Sequence, residues 1–150
     1  MTDMPEAEEL LPSQVRARIL REHARVRASM EAVARECRAP GGDPRPAVER
    51  LLGALVDLVE LEHELLLPTL RTIDAWGQER ARRLSAWHID LRARIERVRR
   101  ELSERASGEL APLARTFVVE LQADLANEER THLAREVLRE LPIPADLGGD

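Results

Sequence analysis

The chain has 150 residues, 43% of them hydrophobic, which suits one domain with a single buried core. Its net charge is −5, and its 23 basic residues, all arginine, are interleaved with 28 acidic ones, which argues against nucleic acid as a partner. The single cysteine, Cys37, excludes an intrachain disulfide. The acidic start Met1-Thr2-Asp3-Met4-Pro5-Glu6 lacks the basic flank of a signal peptide, and no apolar run has the length of a membrane span. The expectation is a soluble cytoplasmic protein without a membrane partner.

Glycine and proline fall at a few places, and between them apolar residues recur with helical period. This predicts an all-α fold, an antiparallel up-down-up-down four-helix bundle that takes 1–150 as one domain. The first helix is expected over 12–38, with Val15, Ile19, Val26, Met30 and Val33 inward and a polar gap at His23. Asp43-Pro44, a capping residue followed by proline, opens the second over 44–73. It carries Leu51, Leu55, Leu58 and Leu66, with a gap at Glu62 and His63, and Pro68 predicts a kink or an end nearby. Trp76 in the following turn is expected to plug the end of the bundle. The third helix, 77–107, has Leu84, Leu91, Ile95, Val98 and Leu102 inward around His88, and its arginines are expected to form a solvated, salt-bridged face. The fourth, 109–141, has Leu113, Phe117, Leu121 and Leu138 inward, with Asp124, Glu128 and His132 on the same stripe; an irregular tail follows over 142–150. A weak repeat sets Ile19, His23, Val26, Arg27 and Val33 against Leu84, His88, Leu91, Arg92 and Val98, so the halves read as similar helix pairs.

The polar gaps share one height. In antiparallel helices, residues equally far from a short loop lie level, because each residue rises about 1.5 Å. Counted from the three loops, His23, the Glu62-His63 pair, His88 and Glu128 fall in a single layer, with Asp124 and His132 one turn to either side of Glu128. Burying such groups unpaired costs several kcal/mol each, and a shared cation removes the cost. Imidazole with carboxylate suits iron, manganese or zinc. On this reading His23 and His88 are terminal ligands, Glu62 and Glu128 bridge two ions, and Asp124, His132 and His63 compete for the remaining positions. The bland alternative is a hydrogen-bonded polar network.

The segments Leu20-Arg21-Glu22-His23-Ala24-Arg25-Val26-Arg27 and Trp87-His88-Ile89-Asp90-Leu91-Arg92 resemble the single-histidine helices of the hemerythrin-like, or HHE cation-binding, family. Glu62-His63-Glu64-Leu65-Leu66-Leu67-Pro68 is similar to its second helix, and Glu128-Glu129 to the paired acids of its fourth. The resemblance implies a non-haem centre of two iron ions and a small ligand such as oxygen, nitric oxide or peroxide. It also implies a histidine four positions before each ligand glutamate, where this chain has Leu58 and Asp124. A carboxylate-richer site follows, with His63 and His132 as replacement imidazoles.

Glu60 with His63 and Glu129 with His132 also make the Glu-x-x-His spacing of ferritin-like bundles; that reading further needs an inward glutamate on the first and third helices, where Glu22 could serve on the first but the third has nothing acidic close to His88 except Asp90, on another face. No catalytic base, phosphate loop or nucleophile motif supports a conventional enzyme; an oxidase- or peroxidase-like activity is the enzymatic form left open. With no tyrosine in the chain, a tyrosyl radical is excluded. Cys37 is expected to be inert core. The second function class is a metal-free bundle serving as a protein-interaction or regulatory module, and either class fits a monomer or a homodimer.

Overall fold

The computed structural model describes residues 9–139. They form an all-α antiparallel four-helix bundle: α1 Pro12–Arg38, α2 Arg45–Leu61, α3 Leu67–Ile73, α4 Gly77–Glu104 and α5 Ser107–Thr131. α2 and α3 are one column, joined through a turn of π-helix, Glu62–Leu66. α1 packs on α2 and α5, and α4 packs on α2 and α3.

Each boundary has a local cause. Pro12 occupies the first turn of α1, where no hydrogen is needed, and Gln14 Oε1 accepts the Leu11 N–H at 2.8 Å. Asp43 Oδ1 accepts the Arg45 N–H at 3.1 Å, which starts α2 one residue after Pro44. Between them Gly41 takes a φ of 70°, a left-handed turn that costs glycine nothing. Pro68 does not end the second column. The π-turn before it lets the Leu67 N–H reach back to the Glu62 carbonyl, and the helix resumes in α3.

Trp76 does not plug the bundle: it is 69% exposed. Asp74 Oδ1 accepts the Trp76 N–H at 2.8 Å, and the buried place falls to Gly77, where a Cβ would meet the Leu70 carbonyl oxygen at 1.9 Å. The turn must therefore present its glycine inward and its tryptophan outward.

The fourth helix stops at Thr131 rather than running on to 141. The His132 and Leu133 amides both donate to the Glu128 carbonyl, at 2.8 and 3.2 Å, and the chain then turns. That turn buries Leu133, Val137 and Leu138, and Arg16 Nε donates to the Leu133 carbonyl at 2.6 Å. Leu138 thus reaches the core from a turn rather than from a longer helix. The tail expected from Pro142 lies outside the described residues.

The core is a continuous leucine-rich stack contributed by every helix, including Ile19, Leu51, Leu55, Leu58, Leu66, Leu70, Leu84, Leu91, Leu121 and Leu125. Each fully buried leucine contributes about 2 kcal/mol relative to exposure. Leu113 is only half-buried; Leu110, Ala114 and Phe117 face inward at that end of α5. No helix among the described residues is long and apolar enough to cross a membrane.

Candidate metal centre

Among the described residues, five polar side chains interrupt this core: His23, Glu62, His88, Glu128 and His132. Three of them converge. One ligand atom each from His23, Glu62 and Glu128 lies within 4.8 Å of the other two, and all three residues are buried. α1 supplies the imidazole, the first residue of the π-turn supplies Glu62, and the last full turn of α5 supplies Glu128. The π-turn has a local effect here. Its extra residue shifts the helical phase, so Glu62, Leu66, Leu67 and Leu70 are buried on one side while His63 and Glu64 face solvent.

The hydrogen bonds around His23 fix its chemistry. Its Nδ1 lies 3.1 Å from Glu129 Oε1. Glu129 is also bonded by both terminal nitrogens of Arg27, Nη1 to Oε1 and Nη2 to Oε2, the latter at 3.1 Å. Partial burial pushes the Glu129 carboxyl up, but the hydrogen bonds from Arg27 and His23 outweigh it and hold the group below the ordinary carboxylate range. An ionised carboxylate only accepts, so the hydrogen of a neutral His23 sits on Nδ1 and the lone pair on Nε2. That Nε2 points into the cluster, 3.3 Å from Glu128 Oε2 without hydrogen-bond geometry.

On the other side, His88 Nε2 lies 3.4 Å from Glu62 Oε1. Burial raises the Glu62 pKa, opposed by the hydrogen bond and charge of His88 and by the charge of His23. Among the described residues, Glu62 Oε2, both oxygens of Glu128 and His23 Nε2 are buried with no hydrogen-bond partner. Four buried polar atoms left without hydrogen-bond partners are unfavourable in a dry core. A divalent cation fits them: one imidazole nitrogen and carboxylate oxygens form a donor set for iron, manganese or zinc. The bundle therefore contains a small buried His/Glu cluster able to ligate a metal.

Compared with protein-family models, curated proteins and solved structures, the chain matches none. The donor set itself is what remains to speak for function.

The other sequence-predicted ligands lie apart from the group of three. His63 is exposed, on the outer side of the π-turn. Asp124 is half-buried and held by Arg94 Nη2, while Arg94, only 14% exposed, also lies near Asp90 and Glu120. His132 is buried at the C-terminal end of α5 with Nδ1 unpartnered. Its pKa is lowered to about 4 by burial first, and then by the charges of Arg80, Arg83 and His88. Leu58, one turn before Glu62, is fully buried and supplies no donor. The ferritin-like alternative finds little support, since Glu60 is exposed and Glu22 is bonded to Arg25. Cys37 is half-buried, with Sγ 3.8 Å from the Ala111 carbonyl.

Three contributors escaped the pattern of gaps in the core stripe: Glu129, Arg27 and Arg94. Two had a usable signal. Arg27 stands four positions after His23 on the same face, and Glu129 is the second of the paired acids. Nothing local in the sequence pairs Arg94 with Asp124, thirty positions away on another helix.

Proposed function

We propose that this chain is a hemerythrin-like, non-haem metal protein that binds, senses or processes a small molecule such as oxygen, nitric oxide or peroxide. The observation that carries this reading is the convergence of His23, Glu62 and Glu128 with their donor atoms unpartnered. The layout runs from His23 through Glu128 and Glu62 to His88. Two ions are proposed, iron in the first instance and manganese or zinc by the same donors; Glu62, Glu128, His23 and His88 would hold them. His132, which caps the C-terminal end of α5, is a reserve imidazole. When bound, the metal would supply a coordination position for the small ligand. The protein's own part is to hold dry donors at fixed height, to orient His23 through Glu129, and to exclude bulk water with the surrounding leucines. A cytoplasmic setting is proposed with it, since the one cysteine has no disulfide role.

A specific observation favours a second reading, a metal-free interaction or regulatory module. Two of the three buried imidazoles each face a buried carboxylate, His23 with Glu128 and His88 with Glu62, so protons alone can balance those pairs.

One experiment separates the two. The protein is purified without chelator, its iron, manganese and zinc are measured, and its absorption in air is recorded before and after anaerobic iron reconstitution. Near two iron per chain with oxo-bridge charge-transfer bands supports the first reading; stoichiometry near zero after reconstitution leaves the second.

A further inference from the structure

We infer that the two ends of the cluster are unequal: the first metal ion binds between His23, Glu62 and Glu128, and the His88 end is a weaker, exchangeable position. This rests on the metal-binding reading above and adds an order of filling to it.

Convergence is the first reason. At the His23 end three residues bring ligand atoms within 4.8 Å of one another. At the other end, Glu62 is the one carboxylate among the described residues that pairs with His88, at 3.4 Å.

The second reason is outer support. His23 is oriented by the Arg27–Glu129 pair, which fixes the tautomer that aims Nε2 inward. Among the described residues no carboxylate or carbonyl bonds the other ring nitrogen of His88. Its ring neighbour is Trp87, tilted by 46° with centroids 5.6 Å apart, and an indole offers no comparable acceptor.

The third is what flanks the glutamates. One turn before Glu62 stands Leu58, apolar and fully buried; one turn before Glu128 stands Asp124, already held by Arg94. His132, one turn after Glu128, is the remaining imidazole, and Arg80 and Arg83 lie close enough to disfavour positive charge there, although Arg80 also pairs with Asp74 and Arg83 with Glu79. An outer carboxylate on a ligating imidazole changes metal affinity by about 10–100-fold, so the two ends should differ by at least about tenfold.

The test is a Co2+ titration of the chelator-treated full-length protein, followed by calorimetry and visible absorption. Wild type is expected to show a tight step, with any further uptake at least about tenfold weaker. His88→Ala should leave the tight step within about threefold and remove the weak one. Glu129→Ala should weaken the tight step by about 10–100-fold and shift its absorption bands. Glu129→Gln, which keeps an oxygen to accept the Nδ1 hydrogen, should recover most of that loss. Two equal steps in wild type would overturn the inference while leaving the metal reading intact, and so would a tight step that follows His88 rather than Glu129. No Co2+ uptake by wild type would overturn the metal reading, and the order of filling with it.

Discussion

Glu129 Oε1 lies 3.1 Å from Nδ1 of His23, while Glu128, its neighbour in sequence, faces the other nitrogen of the same ring at 3.3 Å. Consecutive residues on a helix point about 100° apart, so they bracket one imidazole only where that ring enters the gap between them. The packing of α1 against α5 places His23 in that gap. The outer acid is half-buried and paired with Arg27, and the inner one is buried and unpartnered. One ring thus joins the charged surface to a dry cluster.

The cost of that cluster without metal is measurable. Replacing the buried pair together, Glu62→Leu with His88→Leu, substitutes packed hydrocarbon for two desolvated polar groups. The chelator-treated double variant is expected to be more stable than wild type by about 1–3 kcal/mol in urea denaturation. Added metal should raise the melting temperature of wild type and have a much smaller effect on the variant. A double variant less stable than the chelator-treated wild type would show that the polar pair is itself stabilising.

Ligands and bystanders should separate cleanly. His63 is exposed and Asp124 is tied to Arg94, so His63→Ala and Asp124→Asn are expected to retain the wild-type metal content. Asp124→Asn removes a charged partner from a partly buried guanidinium and should cost about 1 kcal/mol of stability. Glu128→Gln, by contrast, takes charge from the centre of the donor set and should lower metal content severalfold or more. Elemental analysis of the three purified variants checks this, and loss of metal in Asp124→Asn would place that residue among the ligands.

Most of the bundle was legible because helix period and loop position are local properties. The height of His23, Glu62, His88 and Glu128 followed from counting residues out from the loops, and those four do occupy neighbouring positions in the core. Rotation about the helix axis was less legible. The π-turn adds one residue between Glu62 and Pro68, a phase change that no propensity announces, and Leu66 and Leu67 are both buried there; His63, about 100° around the helix from Glu62, faces outward. Asp124 shares a stripe with Glu128 in sequence but is claimed by Arg94 from α4, a contact set by how two distant helices pack. The end of α5 was misread for a similar reason. The apolar positions Val137 and Leu138 suit a helix or a turn equally, and tertiary burial of the turn decided between them.

Stability should fall on mild acidification through His132. Its folded pKa, about 4, lies below the ordinary value of 6.5 because burial and then nearby positive charge disfavour the imidazolium. Between those values the unfolded chain binds a proton that the folded chain does not, so stability rises with pH across that window and is lost as pH falls. Glu62 works in the opposite sense: burial raises its pKa, so its contribution to stability falls as pH rises above 4.5. Comparing chelator-treated wild type with His132→Leu cancels the Glu62 contribution, and the variant should show the flatter profile between pH 4 and 6.5. Parallel profiles would mean that His132 is protonated equally in both states.

Two glycines should respond in opposite directions to the same methyl group. Gly53 is exposed within α2 and a Cβ there meets nothing within 4 Å, so Gly53→Ala restricts the unfolded chain without a clash. It should stabilise by about 0.5–1 kcal/mol. Gly77 is buried where α4 begins, and a Cβ would stand 1.9 Å from the Leu70 carbonyl oxygen, which is backbone and cannot swing aside. Gly77→Ala must push α4 away from α3, at a cost of about 2–3 kcal/mol. Because His88 is carried by α4 and Glu62 lies at the head of the turn leading into α3, that displacement should also widen their 3.4 Å approach. Thermal melts of both variants, with and without Co2+, check the pair: Gly53→Ala should melt higher than wild type in both conditions and Gly77→Ala lower. The His88 end should lose its Co2+ only in Gly77→Ala.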